Sequence, residues 1–156
     1  MQPTTRATIA ALLLFAPLTR AAAQEVLTNE SIVQMIAGKV PKDVIIAKIK
    51  GTKSNFDISP TGLITLSTGK ASSETMKLIM TTVAATTVPK QTLDNDGVIK
   101  MVAGGLSKEI IVAKIQMSKP GYDLTTTGLL NLNKNKVNED VQKAMMASTS
   151  GTPAKP

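Results

Sequence analysis

The sequence predicts an all-α protein made of two tandem four-helix units, each built from two short αα-hairpins. The first observation is an internal duplication: residues 27–81 align without a gap with residues 93–147 at a constant offset of 66, and 19 of the 55 aligned positions are identical. The second is a recurrent helix-stop position, occupied by Gly or Asn; these stops are Gly38, Gly69, Gly104 and Asn135. We call the aligned segments copy one and copy two.

The N-terminal segment has the pattern of a secretory signal peptide. Arg6 precedes an apolar run at 9–18, and three alanines at 21–23 provide small residues before a cleavage site. A membrane anchor is the alternative, but this run is interrupted by Pro17 and is far shorter than the roughly 20 residues that span a bilayer. The sequence therefore predicts cleavage after Ala23 and an exported protein, periplasmic or extracellular, with no transmembrane segment in its mature form.

Each helix has a recognisable beginning and end. The first begins after Thr28 or Asn29, and the third after Ser59 with Pro60 as its first residue, since these residues cap helix N-termini well. The second helix of each hairpin follows a residue that in three cases of four is also a good cap; these are Pro41, Ser72, Ser107 and Asn138. At the four stops we expect a left-handed backbone with positive φ.

The loop between the hairpins has the same pattern in both copies: an aromatic residue, an Asp and an aliphatic residue, Phe56-Asp57-Ile58 and Tyr122-Asp123-Leu124. We expect the ring and the aliphatic side chain to plug the gap between hairpins, and the Asp to bond nearby backbone N–H groups. Gly62 and Gly128 follow in the first turn of the third helix. They indicate close contact with a neighbouring helix or, alternatively, a backbone that approaches a ligand.

These features divide the chain into a signal peptide at 1–23, unit one at 24–82, a linker at 83–92, unit two at 93–147 and a disordered tail at 148–156. The linker has no clear periodicity, and the tail is rich in Ser, Thr, Gly, Pro and Lys. Units of about 55 residues bury a thin core, so we expect the two units to pack on each other, although the linker is long enough to keep them apart.

The charge pattern argues against nucleic acid as a partner. Loss of the signal peptide removes both arginines and leaves 16 lysines against 11 acidic residues, a net charge of +5. Proteins that recognise nucleic-acid bases and phosphates rely on the bidentate guanidinium group of Arg, and proteins that bind single strands also stack aromatic side chains on the bases. Only Phe56 and Tyr122 supply rings after maturation. Attraction to an anionic envelope surface remains compatible with this charge.

The residue inventory also argues against catalysis. The chain has no His and no Cys, so it lacks the usual nucleophile pairs and zinc ligand sets. Asp94-Asn95-Asp96-Gly97 lacks the later ligands of a calcium loop and is interpreted as a helix cap. The sequence therefore predicts no enzyme, no cofactor and no metal site.

Two groups of residues are candidate contacts to a ligand or partner. Lys48 and Lys114 recur within the most apolar helix of each copy. A lysine there either binds an anionic ligand or, as we favour, reaches solvent or pairs with an acid such as Asp57 or Asp123. The second group consists of methionines near helix ends: Met76, Met80, Met145 and Met146. Methionine clusters form adaptable grooves for peptides or lipids but more often fill small helical cores.

The motif at Leu27–Ile49, followed by the Asn-Phe-Asp-x-Ser-Pro pattern at Asn55–Pro60, resembles a helical repeat of exported proteins of Gram-negative bacteria. The resemblance covers both copies, and copy two departs from the motif at Ser107, Tyr122 and Thr126. It implies an exported helical protein and transfers no binding or catalytic residue.

Two hypotheses for function follow. The first is a non-enzymatic binding or scaffolding module at the cell envelope, with a protein partner or the envelope surface as its target. The second is a small carrier or sensor for an apolar or anionic ligand held between the hairpins.

Overall fold

The computed structural model describes residues 25–86 and 90–150. In these residues the chain forms eight helices, α1 (Asn29–Ala37), α2 (Lys42–Gly51), α3 (Pro60–Thr68), α4 (Ser73–Ala84), α5 (Asn95–Ala103), α6 (Lys108–Met117), α7 (Thr126–Lys134) and α8 (Glu139–Thr149), and two strands, β1 (Thr92–Leu93) and β2 (Lys119–Pro120). The predicted all-α class is confirmed, although the two short strands were not expected. The signal peptide at 1–23 lies outside the described residues.

The helices are arranged in two rows. Helix α1 contacts α3, α3 contacts α5 and α5 contacts α7, while α2, α4, α6 and α8 contact one another in the same order. The α3–α5 and α4–α6 contacts join copy one directly to copy two. One cluster of buried apolar side chains extends through both copies, and its fully buried members include Ile32, Leu66, Ile79, Ile110 and Leu132. Among the described helices, none has both the length and the apolar character needed to cross a bilayer.

Most helix starts are capped as the sequence indicates. The Thr28 hydroxyl accepts from the Ser31 backbone N–H, and Ser59 and Ser72 accept from amides three residues later. Asp94 caps α5 in the same way, in agreement with its interpretation as a cap. Ser107 is an exception, because its side chain makes no capping hydrogen bond to α6.

The prediction of positive φ at the helix stops is wrong by one residue. Gly38, Gly69, Gly104 and Asn135 have φ of −75°, −72°, −75° and −89°. The left-handed residues follow them, with φ of 58° at Lys39, 62° at Lys70, 72° at Gly105 and 58° at Lys136. In each case the amide two residues after the stop reaches back into the last turn, as when Val40 N–H donates to the Met35 carbonyl at 2.9 Å. This is a Schellman ending in which the stop is the residue before the left-handed one.

Packing, and not backbone conformation, explains two of these glycines. A Cβ at Gly69 would collide with the Val33 side chain of α1, and a Cβ at Gly104 would lie 2.6 Å from Ile64 Cγ1 of α3. Gly69 therefore lets Val33 of α1 approach the end of α3, and Gly104 lets Ile64 of α3 approach the end of α5.

The segment boundaries also differ from those expected. Helix α4 continues to Ala84, and Thr92 belongs to β1, so the predicted linker at 83–92 is shorter than expected at both ends. Helix α8 continues to Thr149, two residues into the predicted disordered tail. The rest of the linker at 87–89 and of the tail at 151–156 lies outside the described residues.

In each copy, parallel backbone pairing joins the segment before the first helix to the segment after the second helix. Strand β1 pairs in parallel with β2, and Leu93 faces Pro120. At the corresponding positions of copy one, Leu27 forms an isolated parallel bridge with Ser54. Leu27 is fully buried, its N–H donates to the Lys53 carbonyl at 2.9 Å and its carbonyl accepts from Asn55 at 2.8 Å. This pairing closes the loop that carries Phe56 and Asp57.

Candidate functional site

A buried asparagine fixes the loop between hairpins in each copy. Asn29 Nδ2 donates to the carbonyls of Asp57 and Gly62 at 2.8 and 2.9 Å, and the Asp57 N–H donates back to Asn29 Oδ1 at 3.1 Å. Asn95 makes the corresponding pair of bonds with Asp123, at 2.8 and 3.0 Å. Sequence reasoning considered Asn29 only as a helix cap and missed this role. Its identity in both copies was the available signal.

The aspartates in these loops bond local groups, as predicted. Asp57 Oδ1 accepts from the Ser59 N–H at 2.8 Å, and Asp123 Oδ1 accepts from the Thr125 N–H at 3.0 Å. The Thr125 hydroxyl bond, followed by the backbone bond, lowers the pKa of Asp123 below its usual value. The loop stays close to the helix that follows it, because Gly62 and Gly128 lie directly against the carbonyl oxygens of Asp57 and Asp123. Gly62 also contacts a neighbouring helix, because Asn29 of α1 donates to its carbonyl at 2.9 Å.

A cavity of about 650 Å³ lies where the two copies meet, and we call it the junction cavity. Copy one contributes the loop at 55–58, and the end of α4 contributes Val83 and Ala84. Helix α6 contributes Lys114, Gln116 and Met117, and the segment before β1 contributes Lys90 and Gln91. Phe56, which the sequence predicted to plug a gap between hairpins, is buried and lines this cavity.

Lys114 is the unusual residue of the junction cavity. It is only 2% exposed, and its Nζ has a long contact of 3.4 Å with Gln91 Oε1. Burial lowers the pKa of Lys114 below its ordinary value, and the nearby charge of Asp57 opposes that change. A buried ammonium group is costly unless acceptors surround it, so this side chain is suited to receive an anionic group.

Lys48 occupies the corresponding position in copy one but has different surroundings. Its side chain is 36% exposed, and its Nζ forms an ion pair of 2.7 Å with Glu25. Gln91 corresponds to Glu25 at the same offset. The carboxylate that neutralises Lys48 is thus replaced by a neutral amide beside Lys114. Lys48 thus reaches solvent and pairs with an acid, as the favoured interpretation expected, although the acid is Glu25 and not Asp57 or Asp123. Lys114 departs from that interpretation, because it is buried and Asp57 has only an electrostatic influence on it.

The lining of the junction cavity combines apolar and cationic character. Phe56, Ile58 and Met117 supply apolar surface, while Lys90 and Lys114 carry positive charge against the single negative charge of Asp57. An anionic ligand with an apolar body matches this combination.

The methionines are divided between core and surface. Met76, Met80 and Met145 are buried in the apolar cluster, whereas Met146 on α8 is exposed. The structure therefore does not bring these four residues together as one groove.

Tyr122 has a different environment from Phe56, its counterpart in copy one. Its hydroxyl is buried without a hydrogen-bond partner in the described residues. Burial raises the pKa of Tyr122 to about 12.

Comparison with protein-family models, with curated proteins and with solved structures gives no match for this chain. The described residues contain no group of three or more His, Cys, Asp or Glu side chains that could hold a metal ion. Function must therefore be inferred from the fold and from the junction cavity.

Proposed function

We propose that this chain is an exported, non-enzymatic helical repeat protein that acts as a binding or scaffolding module at the cell envelope. In this proposal its two tandem four-helix units are a single binding element. The observation that carries it is the direct packing of α3 on α5 and of α4 on α6, which gives both copies a share in one continuous surface. Extended surfaces of stacked helices are characteristic binding surfaces of repeat proteins.

The junction cavity is the proposed centre of this surface, because residues of both copies line it. A quantitative pull-down from envelope extract tests the proposal with immobilised full-length protein. Lys90→Glu reverses an exposed charge at the cavity and should weaken capture of a specific partner at least about tenfold. Lys134→Glu, equally exposed but on α7, is the matched control and should retain the partner. Equal capture by both variants would contradict the proposed location.

Export is tested separately. Protein recovered from the envelope of its own host should begin at or near Gln24, because Ala21 and Ala23 supply the small residues before the cut. Recovery of intact protein beginning at Met1 from that fraction would exclude cleavage.

The second candidate function is a small carrier for an amphipathic anion. The specific observation in its favour is the buried Lys114, whose Nζ has a 3.4 Å contact with the neutral side chain of Gln91. A naturally fluorescent fatty acid is a suitable probe, since its carboxylate would meet Lys114 and its chain would contact Phe56 and Met117. Lys114→Gln should weaken binding about tenfold or more, because a charge-assisted hydrogen bond is lost.

Lys48→Gln is the matched control for this experiment, as it removes an equivalent lysine that already has a carboxylate partner. Its binding constant should equal that of the original protein. Equal effects of the two substitutions would show that the probe responds to overall charge and not to the junction cavity. Native mass spectrometry of protein from its own host would then show whether any small molecule is retained.

A further inference from the structure

The large apolar side chains that are exposed in the described residues lie at the two ends of the helix stack. Val26 and Val44 belong to the end formed by α1 and α2, and Leu130 and Met146 belong to the end formed by α7 and α8. We call these the leading face and the trailing face. Within residues 25–86 and 90–150, neither face has the neighbouring helix pair that covers the inner helices.

Three of these side chains have buried or packed counterparts where copy one meets copy two. Val44 is 51% exposed, whereas Ile110, its counterpart on α6 of copy two, is fully buried. Met146 is 40% exposed, whereas Met80, its counterpart on α4 of copy one, is 1% exposed. Helices α4 and α6 pack on each other, so positions that are buried at the inner junction are uncovered at the two ends.

The third exposed residue has a counterpart with a defined contact. Inside the chain, Ile64 of α3 packs over Gly104 at the end of α5, where a Cβ would lie 2.6 Å from Ile64 Cγ1. The counterpart of Ile64 on the trailing face is Leu130, which is 55% exposed. The counterpart of Gly104 on the leading face is Gly38, where an added Cβ would meet only carbonyl oxygens of its own helix, Gln34 at 3.3 Å and Met35 at 3.6 Å. The trailing face thus presents a projecting side chain, and the described residues leave open space for it on the leading face.

The charges at these positions are also complementary. Lys77 of α4 and Glu109 of α6 line one groove, which α8 also lines, and the charge of Lys77 contributes to lowering the pKa of Glu109. The corresponding residues are Lys143 of α8 and Asp43 of α2, which again have opposite charge; Lys143 lines the same groove as Glu109 and also pairs with Glu139 at 2.7 Å.

We propose that the leading face of one molecule packs on the trailing face of a second copy of this chain, in the way that α5 and α6 pack on α3 and α4. The two faces differ, so the association is head-to-tail. Any assembly still has one uncovered leading face at one end and one uncovered trailing face at the other, so further molecules can add and the association is open-ended. Inside the chain the covalent connection supplies an effective concentration that free molecules lack, so association between molecules is concentration-dependent.

Sedimentation velocity of the full-length protein from about 1 μM to about 1 mM tests this proposal across the range in which weak association becomes visible. The average mass should rise with concentration and continue beyond that of a dimer. A mass that stays monomeric throughout this range would overturn the proposal.

Two variants establish which faces meet. Val44→Glu places a charge on the leading face, and Leu130→Glu places one on the trailing face; both sites are exposed, so the fold should persist, as circular dichroism can verify. Each variant alone should remain monomeric. An equimolar mixture should form a 1:1 heterodimer and nothing larger, because each variant retains the face that the other has lost. Thr65→Glu, at an exposed position of the inner helix α3, should assemble like the original protein.

Symmetric association through one face would give a different result. One of the two variants would then assemble like the original protein, and the mixture would not yield a 1:1 species. Either observation would overturn head-to-tail packing.

Discussion

Replacement of Asn29 by Ala should be among the most damaging single changes to a polar residue. The substitution removes the bonds of 2.8 and 2.9 Å to the carbonyls of Asp57 and Gly62 and the bond of 3.1 Å from the Asp57 N–H. A typical hydrogen bond contributes about 1 kcal/mol net, and a buried group left without its partner costs more, so we expect a loss of ~2–4 kcal/mol. Asn29 is 5% exposed, and water therefore cannot readily replace its amide.

The assay is urea unfolding followed by circular dichroism, and the duplication supplies the comparison. Asn95→Ala removes the two bonds to Asp123, so its loss should be smaller by roughly 1 kcal/mol, the usual worth of one hydrogen bond. Asn133→Ala, at an exposed position of α7, is the control and should change the free energy of unfolding by less than about 0.5 kcal/mol.

Asn29→Asp tests the donated hydrogen bonds alone, because Asp has nearly the same shape as Asn but no N–H donors. The carboxylate still accepts from the Asp57 N–H but cannot donate to the two carbonyls, so most of the loss should remain. If Asn29→Ala were no more destabilising than Asn133→Ala, the conclusion that this side chain fixes the loop would be refuted.

Three further predictions concern the glycines and the buried lysine. Gly62→Ala should destabilise by at least ~1–3 kcal/mol in urea unfolding, because the new methyl group overlaps the Asp57 carbonyl; an unchanged free energy of unfolding would contradict that contact. Gly104→Ala should lower the melting temperature through its collision with Ile64, whereas Gly38→Ala should leave it equal or higher, and the reverse order would contradict the packing described. Lys114→Met should stabilise the protein by ~1–3 kcal/mol at pH 7, since replacing a buried charge with apolar volume often does so. The pKa of Lys114 is lower in the folded state than its ordinary value, so the folded state releases this proton first and stability should rise with pH between the two pKa values. Lys114→Met should lose that rise, and an unchanged slope in its pH profile would show that Lys114 is not its source.

Local signals in the sequence were sufficient to predict the helices and most of their caps. Ser59 followed by Pro60 begins α3 as expected, because capping depends on residues within one turn. The helices end at the predicted stops, but the left-handed residue lies one position later, and at Gly69 and Gly104 the glycine serves packing instead. At Gly104 the glycine makes room for Ile64, and the adjacent Gly105 adopts the left-handed conformation. The sequence alone does not show whether a glycine is needed to leave space for a neighbouring side chain or to adopt a left-handed backbone.

The candidate site could be predicted only in part. Lys48 and Lys114 have the same neighbours, Ala and Ile, yet one is partly exposed and the other is buried. The difference arises because α6 packs on α4 of the preceding copy, whereas α2 has no such neighbour before it in the described residues. Gln91 was missed because it lies outside the aligned copies.

The two-row arrangement has a consequence for spectroscopic measurements of unfolding. In such a stack each helix draws stability from its immediate neighbours. Among the described helices, α7 and α8 have neighbours on one side only, so they should loosen before the centre. The chain has one tyrosine and no tryptophan, and that tyrosine, Tyr122, lies in the loop just before α7. Its intrinsic fluorescence therefore reports on the C-terminal end and should change at lower urea concentration than the far-ultraviolet circular dichroism of the whole chain.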